Sequence, residues 1–574
     1  DTYRRVQGVF DVLAQEPLAV RGKANPVHTY LVQRAKPRAF RLPSRGVEGI
    51  ETRMVGREAE LKHLQEAFYT AMEDGELQMV TLSGEAGVGK SRLLHEFDVW
   101  SELLPEQVYY FKGRAFPEMR NQAYGLLRDL VAFRFQIQDS DTAATVRERL
   151  ETGVGEALGG DQNSDRAPKI AKRAHLIGHL VGFEQGDSPY LANVRDDPQQ
   201  LRDQALAHLA DYFRGMAEQL PVLILLEDLQ WADDSSLDAL NHLALALSEQ
   251  PLMIVSAARP ELFERRPHWG EGQSFHRRLA LEPLSKWDSR RLVAEILQRV
   301  DQVPDLLRDL IVAGAEGNPF FIEELIKMLI EDGVIVKGEE AWQVAPGRLD
   351  DVRVPQTLNG VLQARLDRLP LEERIVLQQA SVVGRLFWDQ AVARIRSAST
   401  RKELDEGEVM DRLSALRERE MVFHRETSAF AGTQEYIFKH TLLREVTYES
   451  VLKRVRRAYH GLVADWLLEQ AGERAEEYTG LIADHLELAG RATEAIDLLL
   501  GAGDRARGLY ALQESIHAYE RALALLKKQG DDGRAARTQM RLGLAHHNAL
   551  EFLAASQAYE EAFALWRRAR SLRL

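Results

Sequence analysis

Through the first half of this chain, short apolar runs alternate with longer stretches whose apolar positions recur at helical spacing; beyond residue 457 only the helical spacing remains. Met79–Leu82, Val222–Leu226 and Leu252–Ala258 read as strands buried on both faces, and Gln107–Phe111 as a further strand. Arg92–Phe97 and Ala123–Phe135 read as helices between them. Strand–helix alternation of this kind predicts a parallel sheet between helices, an α/β domain. Residues 139–218 are mostly helical, broken at Gly159–Asn163 and Gly186–Pro189. Leu284–Gly333 is helical with an interruption at Gly314–Phe321, and Gly333–Val344 reads as a β-hairpin. Helices at Leu358–Leu369, Glu372–Ala380 and Glu408–Glu418 precede strand-like Met421–Phe423 and Tyr436–Phe438, a pattern that predicts a winged-helix unit. From Arg457 on, helix follows helix, with Ala at packing positions. Ala518–Leu525 recurs as Ala558–Leu565, which predicts an irregular solenoid of the tetratricopeptide kind. The fold class is therefore multidomain, α/β followed by α.

One stretch carries chemistry at every fixed position. Gly84-Glu85-Ala86-Gly87-Val88-Gly89-Lys90-Ser91 matches G-x-x-x-x-G-K-[ST] between a predicted strand and a predicted helix. Its glycines let the backbone approach a polyphosphate, and its amides, from Gly84 through Arg92, face the phosphate oxygens at a helix N-terminus. Lys90 is placed to neutralise the β- and γ-phosphates, and Ser91 to give a hydroxyl to Mg²⁺. Downstream, the apolar run Val222–Leu226 ends in Glu227 and Asp228, so a buried strand delivers two carboxylates to its carboxyl end, where ligands of open α/β sheets bind. One acid can serve the metal and the other can orient or deprotonate water; the pattern leaves open which does which. Arg259 ends the next apolar run and can read a γ-phosphate with its guanidinium fork; a surface Arg before the Pro260 turn is the alternative.

Composition narrows the classes. The 574 residues exceed one core, and a net charge of -14 argues against broad nucleic-acid binding. With no Cys there are no disulfides, thiolate metal sites or Cys nucleophiles. The apolar runs fall far short of a membrane span, and no signal peptide is visible, so a cytoplasmic placement is expected. The opening at Asp1, without an initiator Met, reads as a fragment.

Five blocks in order resemble the signal-transduction ATPases with numerous domains (STAND). Met54-Val55-Gly56-Arg57-Glu58 resembles their "VGRE" segment, which implies that Val55, Gly56 and Arg57 lie near the adenine. The phosphate loop is the second block. Glu227-Asp228-Leu229-Gln230-Trp231-Ala232-Asp233 resembles the family's acidic signature, with Gln230 where His is usual, so a proton-transfer role at that position is in doubt. Gly317-Asn318-Pro319 resembles the family's Gly-x-Pro element, implying that Pro319 packs near the base or ribose. Phe438-Lys439-His440 resembles the winged-helix block whose His can reach the β-phosphate of ADP. A packed His at a domain edge is the ordinary alternative for His440, and a helix-starting turn that needs no ligand for Pro319.

Pro17–Tyr30 resembles the closing strands of class III nucleotidyl cyclases; the catalytic parts of such a domain would lie upstream, and no cyclase activity is expected of this chain. The division read from the sequence is 1–34 cyclase-like strands, 35–52 linker, 53–280 nucleotide-binding domain, 281–345 helical domain with hairpin, 346–456 winged helix and 457–574 incomplete repeats. Together the blocks imply an ATP/ADP- and Mg²⁺-dependent switch with slow hydrolysis, a signal or protein partner on the repeats, self-association in the ATP form, and control of an attached cyclase. A continuously cycling AAA-like motor, or a scaffold with a degenerate nucleotide site, are the alternatives.

Overall fold

The computed structural model describes residues 10–15, 18, 29–35, 47, 50–104, 107–138, 141–158, 166–183, 188–192, 197–338, 341–348, 355–400, 406–425, 428–430, 432–471 and 478–571. At the amino end, β1 (Phe10–Ala14) and β2 (Tyr30–Ala35) pair antiparallel. Most of the cyclase-like wording, residues 19–28, lies outside the described residues.

Five parallel strands form the central sheet: β3 (Gln78–Ser83), β4 (Tyr109–Arg114), β5 (Val222–Glu227), β6 (Leu252–Ala258) and β7 (His276–Ala280). Their order is β4-β5-β6-β3-β7. From β3 the chain crosses to the far edge, β4, and from β6 it passes over β3 to β7. Connections thus leave in opposite directions at the β3–β6 pair, which opens a crevice at the strands' carboxyl ends. β3, β5 and β6 are buried along their whole length, as their continuous apolar runs require. One face packs Leu64, Phe68, Leu93 and Phe97 from the helices Glu58–Asp74 and Lys90–Ser101 against Val80 and Leu82. The other face packs a larger helical layer, into which Ala506, Leu509 and Ala511 from far down the chain are also inserted. The strand β7 was not legible in the sequence: it is an edge strand, half exposed, and its His276-Arg277-Arg278 lacks an apolar run.

The short strands β8 (Ile335–Val336) and β9 (Gln343–Val344) form the expected hairpin. Then come a helix (Leu371–Val383), β10 (Leu386–Trp388), two helices (Asp389–Thr400, Glu406–Glu418), β11 (Val422–Arg425) and β12 (Glu435–Phe438). The antiparallel sheet runs β10-β12-β11.

From Lys453 to Ser571 helices stack on their neighbours. Here the repeat is visible atom by atom. A Cβ on Gly503 would lie 2.5 Å from the Tyr519 ring, and one on Gly543 would lie 2.5 Å from the Tyr559 ring. Gly at these positions lets one helix of each pair cross directly over an aromatic ring of the next, so both pairs close by the same contact.

A buried charge network joins the helix Pro319–Glu331, the helix Leu358–Arg368 and the segment around β11 and β12. Arg365 pairs with Glu324, and with Glu331 at 2.8 Å; Lys327 and Lys439 both pair with Glu420, at 2.8 and 2.5 Å. Glu324, Lys327 and Arg365 are each 2% exposed. Burial would push the Glu324 carboxyl up, but Arg365 and Lys327 hold it far below the usual range. Removing one member of such a set strands the others away from water. Arg365→Ala should therefore lower the unfolding free energy of this part by about 3–5 kcal/mol, seen as an earlier first transition in a urea melt.

Candidate functional site

The crevice holds a cavity of about 290 Å³, near the lower end of the ~300–1,000 Å³ common for ligand sites. The phosphate loop forms its floor. Gly87 (φ 86°) and Gly89 (φ 101°) adopt left-handed conformations that a Cβ would strain. No side chain caps the first turn of the helix Lys90–Ser101, whose amides are thus left to a ligand. Lys90 Nζ donates to the carbonyls of Gly84 (2.6 Å) and Glu85 (2.8 Å), so these two residues serve the loop through backbone oxygens. Burial, helped by Arg259, lowers Lys90 to about 8. Ala86, Val88, Ser91 and Arg92 line the cavity.

Two other parts of the chain shape this loop. Asn318 Nδ2 donates to Ala86 O at 2.9 Å, and the Phe320 amide donates to Gly87 O at 3.2 Å. A Cβ on Gly87 would meet Asn318 at 2.5 Å, so a larger residue there would break the clamp. Arg57 Nη2 donates to Val88 O (3.1 Å) and Glu282 O (2.5 Å), tying the Gly-Arg-Glu segment to the loop. Gly56 (φ 68°) turns the chain tightly against Asp288, and its neighbours Val55 and Arg57 line the cavity together with Pro319 and Leu284. This end is the apolar one.

The two acids after β5 go to different places. Asp228, held at φ 58°, lines the cavity. Glu227 is 2% exposed and does not line it; its Oε2 sits 2.5 Å from Arg114 Nη2 on the neighbouring strand. Asp228 has two partners: Gln230 Nε2 donates to its Oδ1 (3.2 Å), and Arg385 Nη1 to its Oδ2 (3.0 Å). Burial would raise the Asp228 carboxyl, but Arg385 and Arg114 outweigh it and hold it below the usual range. Gln230 Oε1 accepts the Arg259 amide at 3.1 Å, so one side-chain amide ties the acid to the arginine loop. Gln230 thus acts as a tether that does not titrate. Arg259 lines the cavity.

The far wall comes from beyond residue 355. Arg385, Lys439 and His440 all line the cavity. The His440 ring packs 3.9 Å from that of Phe320, and its Nε2 has no hydrogen-bond partner among the described residues. Burial first, and then Lys439, pushes His440 well below its ordinary value, so a neutral imidazole faces the site. Arg385, Asn318 and Lys439 were missed from sequence. Asn318 and Lys439 sit inside quoted motifs, but nothing in the sequence around Arg385 points to a ligand.

A nucleotide with Mg²⁺ fits this donor set. Uncapped amides and Lys90 suit phosphates, while the Ser91 hydroxyl and the Asp228 carboxylate are the hard oxygens that Mg²⁺ takes, usually with few protein ligands. Sheet order, loop and acid together define a P-loop ATPase domain. Residues 53–255 match the AAA ATPase domain family, and residues 285–337 match a domain of unknown function. An AAA-type ATPase domain ahead of helical repeats is the STAND-class arrangement that the sequence resembles.

An uncharacterized protein of Rhizobium meliloti is 25% identical over 505 residues, 84% of this chain and 43% of that protein. The chain thus spans under half the length of this relative. Among solved structures, a STAND protein with a tetratricopeptide repeat sensor from Pyrococcus horikoshii aligns at 13% identity and a TM-score of 0.39, covering 91% of this chain and 66% of that one. The Orc1 protein of Aeropyrum pernix, solved in complex with DNA, aligns at 15% identity and a TM-score of 0.30, covering 70% and 94%. No helix among the described residues is long and apolar enough to cross a membrane.

Lys90 gives the site a pH signature. In the free protein its ammonium is lost as pH rises through about 8, whereas bound phosphates would restore it, so binding takes up a proton. ADP affinity should therefore fall by up to about tenfold per pH unit above that point, as read by calorimetry in buffers of different ionisation heat. Lys90→Ala should abolish tight nucleotide retention and flatten this dependence.

Proposed function

We propose that this chain is a nucleotide-dependent switch in its closed form. The observation that carries this reading is the contact of Arg385 with Asp228. A guanidinium from the carboxyl-terminal half occupies Asp228, the acid that ends the central strand; the other acid lining the cavity, Glu323, lies on the helix Pro319–Glu331. Mg²⁺ or an attacking water would need that same carboxylate, so hydrolysis is slow until Arg385 leaves. His440 would add a neutral donor to the diphosphate, and Pro319 and Phe320 would hold the base and ribose.

On this reading residues 53–280 are the nucleotide-binding domain, 281–345 its helical companion, 346–456 a winged helix and 457–574 the sensor repeats. The helix–strand–helix–helix–strand–strand order and the β10-β12-β11 sheet support the winged-helix assignment. The repeats also touch the ATPase domain. Glu514 accepts the Ser235 amide (2.9 Å) and hydroxyl (2.6 Å) at the start of the helix Asp234–Ala246, which follows the acidic segment. A signal that pulls the repeats away would release this contact, open the cavity and let ATP replace ADP. The surface uncovered would then drive self-association. Nucleotide must bind the two forms unequally for this to work.

Two measurements test the switch. Arg385→Gln should speed ADP release and raise ATP turnover, each by roughly tenfold if the contact is worth about 1.4 kcal/mol; slower turnover would make Arg385 a phosphate reader instead. Solution mass with ADP and with a non-hydrolysable ATP analogue should differ, and equal masses would sink nucleotide-driven assembly.

A further inference from the structure

A second cavity, of about 260 Å³, lies where three parts of the chain meet. One wall comes from the ATPase domain around Phe116 and Glu118, a second from Val383, Leu386 and Trp388, and a third from the repeats, at Tyr478–Leu481 and Ala502–Leu509. Among the described residues, none lines both this cavity and the nucleotide cavity.

Most charged groups of its lining have partners within the chain. Arg425 pairs with Glu435, whose Oε2 also takes the Trp388 indole N–H at 3.1 Å. Arg128 donates to Gly182 O at 2.7 Å, and Asp129 accepts the Arg114 amide at 3.0 Å. Three guanidiniums (Arg128, Arg425, Arg505) face three carboxylates (Glu118, Asp129, Glu435), so the lining carries no net charge to select an ion. What remains for a ligand is mostly flat and apolar: the rings of Phe116, Trp388 and Tyr478 and the side chains of Leu386 and Leu481, with the Asn121 and Gln122 amides as polar groups.

The back of the second wall is the segment that aims Arg385. Val383 and Leu386 bracket Gly384-Arg385, the Glu118 carboxylate accepts the Arg385 amide at 3.3 Å, and the Arg385 guanidinium lies 5.7 Å from the centre of the Phe116 ring. A Cβ on Gly384 would sit 3.2 Å from Glu118 Oε1, so only glycine lets this turn lie directly against that carboxylate. A molecule that braces Phe116, Glu118 and Leu386 therefore braces the arginine on Asp228 as well.

We propose that this junction is an effector site for an uncharged, flat, mostly apolar small molecule, and that its occupancy is felt at the nucleotide through Arg385. The binding claim stands without the switch reading; the effect on nucleotide rests on it.

The probe is 5-fluoroindole, titrated into the full chain saturated with ADP and followed by ¹⁹F NMR. One saturable site is expected. Gly480→Phe should remove it, because a Cβ there meets nothing within 4 Å and the ring can enter the cavity; Ala502→Phe is the second blocking variant. A diazirine-bearing indole should label peptides from 116–132, 383–388 or 478–509 in the unaltered protein, a readout that needs no variant. Absence of saturable binding, labelling elsewhere, or full binding by both variants would overturn the site. In a separate arm, saturating 5-fluoroindole should slow release of a fluorescent ADP several-fold. Unchanged release alongside confirmed binding would overturn the link through Arg385 and leave the site.

Discussion

One ion pair between distant parts of the chain sets the state of the candidate site. Arg385 and Asp228 are 3.0 Å apart across 157 residues of sequence. A carboxylate at the end of a buried strand needs a partner, and burial without one would drive it to take up a proton. Here the partner is a guanidinium carried on the turn before β10, so the acid stays charged while the two halves stay together. The same electrostatics that keep Asp228 ionised also keep it occupied. Stability of the contact between the two parts and availability of the acid are therefore opposed, which is the property the proposed switch rests on.

The parts legible in the sequence were those set by local pattern. Strands buried on both faces must be apolar throughout, so β3, β5 and β6 declared themselves. The phosphate loop did so because Gly84, Gly89, Lys90 and Ser91 match its fixed positions, and the left-handed backbone at Gly89 shows why glycine stands there. The edge strands β7 and β10 were not legible. β7 is half exposed and tolerates charge, and β10 is only three residues long, set directly between two helices.

Within the site, proximity in sequence misled in one respect. Glu227 and Asp228 are neighbours, but the left-handed backbone at Asp228 turns it toward the cavity while Glu227, still in the strand, faces Arg114. The sequence left open which acid serves the phosphates, and the backbone turn favours Asp228. Arg385 was beyond reach of sequence reasoning because its partner is fixed only by the packing of whole domains. Gln230 is a milder case. Loss of a titratable group at that position was visible, whereas its bridging of Asp228 to the Arg259 amide required coordinates.

The clamp on the phosphate loop has a consequence for how the protein is made. Asn318 reaches Ala86 from 232 positions later in the chain. During synthesis the strand, loop and helix that bear the nucleotide signature leave the ribosome long before the residue that finishes their shape. The nascent ATPase domain therefore waits with its loop unclamped until the helix beginning at Pro319 docks. A truncated domain ending near residue 280 would carry every signature residue of the loop and still lack its final form.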